Sequence, residues 1–191
     1  MAKEGKTGVT ANTPKNILFG AGTIHKNLVY EGSSWNFDES IMGATSGGSK
    51  LSIIPEVTKI EVDGALVAAK GLSVKTGETA TMEINFIELN KELIATATMG
   101  AAGTSEDTTY DVIQSKASIT EGDYFDNIAF VGKTLDGKNI IAILENALCT
   151  SGFEQEGKNK EGAIGKYTFE CHAELDSDLD KLPWKIYYPK G

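Results

Sequence analysis

The sequence predicts a mainly β fold. Antiparallel strands form a sandwich or barrel, with one packed α-helix, a long loop and an N-terminal arm. Three observations carry that expectation. Asp63-Gly64 and Asp136-Gly137 each sit between β-branched apolar runs, the signature of tight hairpins. Two segments alternate in polarity: Met82, Ile84 and Phe86 against Thr81, Glu83 and Asn85, then Tyr167, Phe169, Cys171 and Ala173 against Lys166, Thr168, Glu170 and His172. A period of two gives a strand buried on one face. Gly is frequent at 21 residues and Pro scarce at 4, which suits many turns rather than a Pro-rich linker.

The elements follow in order. Residues 1–15 are small, polar and rich in Gly and Thr, and read as a flexible arm. Residues 16–191 read as one domain. Ile17, Leu18 and Phe19 open a strand, and Gly20 and Gly22 mark a bulge or bend within it. Residues 31–50 form the longest irregular stretch, and long loops in compact domains are usually functional or disordered. This one carries Trp35, Phe37, Ile41 and Met42. Four large apolar side chains either fold back onto the domain or bury against another molecule. The enrichment of Trp and Met at interface cores favours the second, so these four are the candidate inter-subunit contacts.

Residues 51–62 and 66–74 read as strands flanking the first Asp-Gly turn, with a further turn at Gly77 and a strand over 79–89. Asn90 can cap a helix over 90–99, with Leu93 and Ala97 on one face and Gly100 at its end. Strands are expected over 108–117, 124–135, 138–148 and 164–175. The tail, 176–191, reads as an acidic turn and a last short strand.

The chain is 191 residues with a net charge of −9. That balance argues against gripping nucleic acid by its phosphates. It suits solubility, or a surface that nucleic acid slides past. Cys149 and Cys171 are the only cysteines and read as free, buried thiols. No run approaches the roughly 20 apolar residues of a membrane span. The N-terminus lacks an apolar secretory core, so synthesis and assembly in a cytoplasm are expected.

Catalytic signatures do not emerge. His25 and His172 have no second ligand at metal spacing, and adjacent Cys171 and His172 point to opposite faces of a strand. Residues 43–50, Gly-Ala-Thr-Ser-Gly-Gly-Ser-Lys, end in the wrong order for a phosphate-binding loop and lead into a strand, not a helix. The alternating Asp176, Asp178 and Asp180 lack the Gly and distal Glu of a calcium loop. No enzyme and no cofactor are expected.

A longer pattern is more informative. Residues 41–48, Ile-Met-Gly-Ala-Thr-Ser-Gly-Gly, lead into 55–65, Pro-Glu-Val-Thr-Lys-Ile-Glu-Val-Asp-Gly-Ala. Residues 70–86 and the helix follow. Further on come 126–137, Asp-Asn-Ile-Ala-Phe-Val-Gly-Lys-Thr-Leu-Asp-Gly, then 140–151, and 169–180 with Pro183 and Trp184. Over roughly residues 16–189 this order resembles the tail tube (major tail) proteins of long-tailed bacteriophages and prophages of Gram-positive bacteria.

The resemblance implies a structural virion protein. It implies a β-sandwich-like core, hexameric rings stacked into a hollow tube, and arms and loops that carry ring-to-ring contacts. The implied partners are further copies of the chain, tape-measure and tail terminator or tip proteins, and double-stranded DNA. The DNA would pass through the lumen during ejection without specific binding. Glu78, Glu83 and Asn85 are candidate lumen-facing polar residues. The alternatives are a β-sandwich binding module on a phage or cell surface, and the tube subunit of a phage-like contractile bacteriocin.

Overall fold

The computed structural model describes residues 8–155, 159–160 and 162–190. Its fold is mainly β. In chain order it has α1 (Thr13–Asn16), β1 (Leu18–Lys26), α2 (Phe37–Ser40), β2 (Thr45–Lys59), β3 (Ser73–Phe86), α3 (Lys91–Thr98), β4 (Ala101–Gly103), β5 (Val112–Gln114), β6 (Tyr124–Thr134), β7 (Asn139–Cys149), β8 (Gly165–Cys171) and β9 (Trp184–Tyr187). Seven strands form one antiparallel sheet in the order β1-β6-β7-β8-β3-β2, with β9 also paired to β7; β4 and β5 form a small second sheet.

The hinge of the architecture is β7. It pairs with β6 along its length, with β9 through Ile141–Leu144, and with β8 through Ala147–Cys149. Between those last two, Asn146 takes a left-handed φ of 49°. The side-chain alternation changes phase at this residue, although β6 and β7 keep one register on both sides of it. Ile141 and Ile143 therefore face one side of the sheet, whereas Leu144, Ala147 and Cys149 all reach the main core on the other.

The main core joins Ile24, Met82, Ile84, Phe86, Ile128, Leu144, Tyr167 and Phe169, and Leu93 and Ala97 of α3 pack onto it. The helix begins as its sequence predicts, since Asn90 Oδ1 accepts the Leu93 N–H at 2.9 Å. It ends one residue early: Met99, not Gly100, adopts the left-handed cap with φ 49°.

On the opposite face, Ala129, Val131, Ile141, Ile143 and Leu28 make a second, smaller core, covered by Trp35 and Phe37. The covering strap, residues 28–42, starts where Asn127 pairs like a peptide with Leu28: its Oδ1 accepts the Leu28 N–H at 2.9 Å and its Nδ2 donates to the Leu28 carbonyl at 3.2 Å. At the far end Ile41 bridges to His25, and Met42 N donates to the Ile24 carbonyl at 3.0 Å. The chain entering β2 thus lies along the free edge of β1, and the two ends of the sheet meet there.

Five sequence expectations change. Residues 31–50 are not irregular throughout, because α2 and the first six residues of β2 lie within them. The glycines that read as loop are absorbed by a bulge between Thr45 and Ser49, where Gly47 and Gly48 take φ of 86° and 85° and Asn85 Nδ2 donates to the Gly48 carbonyl. Residues 66–72 are a loop rather than a strand, and Gly77 lies inside β3, paired with Glu56 beside a second bulge. The strand expected over 108–117 is only Val112–Gln114. Of the expected arm, residues 1–7 lie outside the described residues. Thr13–Asn16 form a helical turn, tied down where Tyr188 Oη donates to Asn16 Oδ1 at 2.7 Å.

Candidate functional site

The most unusual surface is the hairpin of β2 and β3. Near the domain β2 has a core face, with Leu51 and Ile53 packed against the main core. Beyond Ile54 every residue of β2 is exposed, and so are Ser73–Thr76 of β3. The paired strands therefore project past the body of the domain, with neither face covered. Their side chains are nevertheless apolar at Ile54, Val57 and Val74, and the connecting loop presents Ile60, Val62, Leu66 at 98% and Val67 at 80% exposure. A bare hairpin is marginally stable in water, and a contiguous exposed apolar patch marks an interaction surface.

The neighbouring edge is open as well. β2 ends the strand order, so among the described residues one side of a 15-residue strand has no partner in its own sheet beyond the seam at residues 41–42. Pro55, Lys50, Lys59 and the two bulges are features that limit indiscriminate strand addition at such an edge. What remains is an edge that admits a partner strand in a restricted register.

The four expected contact residues fall elsewhere. Met42 is 5% exposed within the main core, and Trp35 and Phe37 lie on the second core. Trp35 meets Tyr30 and Tyr187 edge to face, at ring separations of 5.4 and 4.9 Å. These three side chains fold back onto their own domain. Ile41, at 50%, is the most exposed of the four, and Trp35 and Phe37 are half-buried.

Nor do the three candidate lumen residues share a face. Alternation along β3 puts Glu83 and Asn85 on the outer side with Thr81, and Glu78 on the parity of Ala80 and Met82. Glu78 is paired with Lys75 at 2.9 Å, and that hydrogen bond holds its carboxyl below the usual range. Glu83 lies between Lys50 at 2.8 Å and Lys166 at 3.5 Å; Lys50, and then Lys166, keep its carboxyl low. Across the register of β2, β3 and β8 the outer face sets Lys50 and Lys166 against Glu83 and Glu170. That patch is charge-balanced rather than acidic.

Neither cysteine is set up as a nucleophile. Cys149 and Cys171 are free and buried, and burial raises both thiols, Cys171 to about 12. His172 stacks edge to face on Tyr124 at 5.5 Å, and His25 is buried. Among the described residues no three His, Cys, Asp or Glu side chains converge on a metal position, and no helix is long and apolar enough to cross a membrane.

The sequence announces this hairpin but not its lack of cover, because its composition matches that of a half-buried strand. One signal was legible: residues 65–69, Ala-Leu-Val-Ala-Ala, follow an Asp-Gly turn without any polar alternation. Neither the protein-family models nor the curated protein sequences contain a match to this chain.

Proposed function

We propose that this chain is a structural subunit that assembles with copies of itself into stacked hexameric rings, forming a phage tail tube through which DNA passes. The observation that carries the reading is the projecting β2–β3 hairpin, apolar and uncovered on both faces. A surface of that kind needs an apolar acceptor, and a repeated head-to-tail contact supplies one in every copy. The open β2 edge adds a second contact, in which strand pairing between neighbours in a ring removes the exposed backbone groups. The resemblance across residues 16–189 supplies the ring and tube geometry, the virion tail as location, and tape-measure and terminator proteins as further partners. A contractile bacteriocin tube would use the same subunit surfaces. For the alternative of a binding module, Trp35 and Trp184 pack against the domain's own side chains, whereas Tyr30, Tyr110, Tyr187 and Tyr188 are exposed.

Electron microscopy of the purified chain tests the proposal, alongside a variant in which residues 60–72 are replaced by Asn-Gly. The native chain should form rings and tubes. The variant should keep its melting temperature within about 5 °C, since the removed residues are exposed apart from half-buried Leu72, but fail to stack. Tubes of normal length from the variant, or monomers alone from the native chain at every concentration and salt, would sink the reading.

A further inference from the structure

His25 is 2% exposed, sits in β1 on the face of the second core, and holds the strap in place. Its Nδ1 lies 2.8 Å from Ser40 Oγ and its Nε2 2.8 Å from Thr23 Oγ1, while Phe37 packs edge to face on the ring at 5.7 Å. The hydroxyl contacts favour one tautomer, since Ser40 Oγ has a carbonyl acceptor at 2.8 Å and Thr23 Oγ1 only one at 3.5 Å. Ser40 Oγ donates to the Asn36 carbonyl at 2.8 Å, so it accepts from Nδ1–H; Nε2 is then the acceptor for the Thr23 hydroxyl. A neutral imidazole has one donor and one acceptor, and both are satisfied here.

A second ring proton breaks this arrangement. Nε2–H would turn the Thr23 hydroxyl into an acceptor, and the only carbonyl its own proton could reach is that of Val131, at 3.5 Å. The elements around the ring supply no compensating charge. On the same face of β6 stand Ala129 and Val131, then exposed Lys133; α2 carries Asp38 and Glu39, both exposed and neither bonded to the ring. Burial accordingly pushes the His25 pKa below its ordinary 6.5, against a smaller raising effect from the Phe37 carbonyl.

We propose that His25 is an acid-sensitive latch: protonation releases strap residues 28–42 from the sheet, uncovering the second core and opening the seam where Ile41 and Met42 meet β1. The device stands whether or not the chain builds tubes. The sign follows from proton uptake. The latched state binds the proton more weakly than the open state, so latching is complete above about 6.5 and weakens as pH falls below it. One proton limits the change to about tenfold in the open population per pH unit.

Full-length protein labelled with 5-fluorotryptophan provides the test, because Trp35 is the strap's own contact with the second core and Trp184 packs on the main core. Between pH 8 and 5 the Trp35 fluorine resonance should move with a one-proton midpoint below 6.5, while Trp184 stays still. Proteolytic cleavage within 28–42 should rise in parallel, by up to about tenfold per pH unit. In His25→Gln the titration should vanish. If that variant does not fold, Ser40→Ala should start with the strap partly open at pH 8 and lose most of the amplitude. A still Trp35 signal to pH 5, equal movement of both resonances, or an unchanged Trp35 titration in His25→Gln or Ser40→Ala would overturn the proposal.

Discussion

Tyr167 shows how one atom can work against the side chain that carries it. Its ring is among the largest fully buried groups and meets Phe86 edge to face at 5.6 Å. Its hydroxyl, however, is buried without a hydrogen-bond partner. An unpaired buried polar atom costs its desolvation energy and returns nothing. Tyr167→Phe keeps the ring and removes the orphan oxygen, so we expect a gain of about 1 kcal/mol in urea unfolding. A loss of similar size would mean that the oxygen has a partner in solution. Residue-level features of this kind are only half legible in a chain of letters. The parity that separates Glu78 from Glu83 is written in the numbering. The two lysines beside Glu83 come from β2 and β8, 33 positions away in one case, and nothing local announces them.

At the scale of elements, local chemistry was readable and coverage was not. The Asn90 cap, the Asp136-Gly137 hairpin and the alternation along β8 all depend on neighbours in sequence. Whether a strand finds something to lie on depends on distant segments. So 31–50 read as an irregular, inter-subunit loop although Trp35 and Phe37 roof a second core, and 66–74 read as strand although 66–71 lie in an exposed loop. This reversal changes what a deletion should do. Excising residues 34–48 removes Met42 from the main core, Trp35 and Phe37 from the second, the seam to β1 and the start of β2. Each large core side chain is worth about 2–5 kcal/mol, and whole domains are stable by only about 5–15 kcal/mol. The excised chain should therefore lose its near-ultraviolet circular dichroism and unfold. A folded monomer would show that the strap is dispensable cover.

The molecule as a whole sets attraction against repulsion. Its apolar hairpin and open edge favour association, while a net charge of −9 on every copy opposes it. The two act over different ranges. Apolar docking works at contact, whereas the repulsion between exposed carboxylates reaches about 30 Å at 0.01 M salt and about 8 Å at 0.15 M. Raising ionic strength should thus shrink the barrier between approaching subunits without weakening the hairpin contact. The balanced pairs on the outer face, such as Lys50 with Glu83, contribute little to either side. We expect the protein concentration at which assemblies first pellet to fall severalfold between 0.01 and 0.15 M salt, and the 60–72 replacement to show no such threshold. A threshold that rises with salt would mean that ion pairs, not apolar contacts, hold the copies together. The candidate surface would then have to be sought among the charged faces rather than at the hairpin.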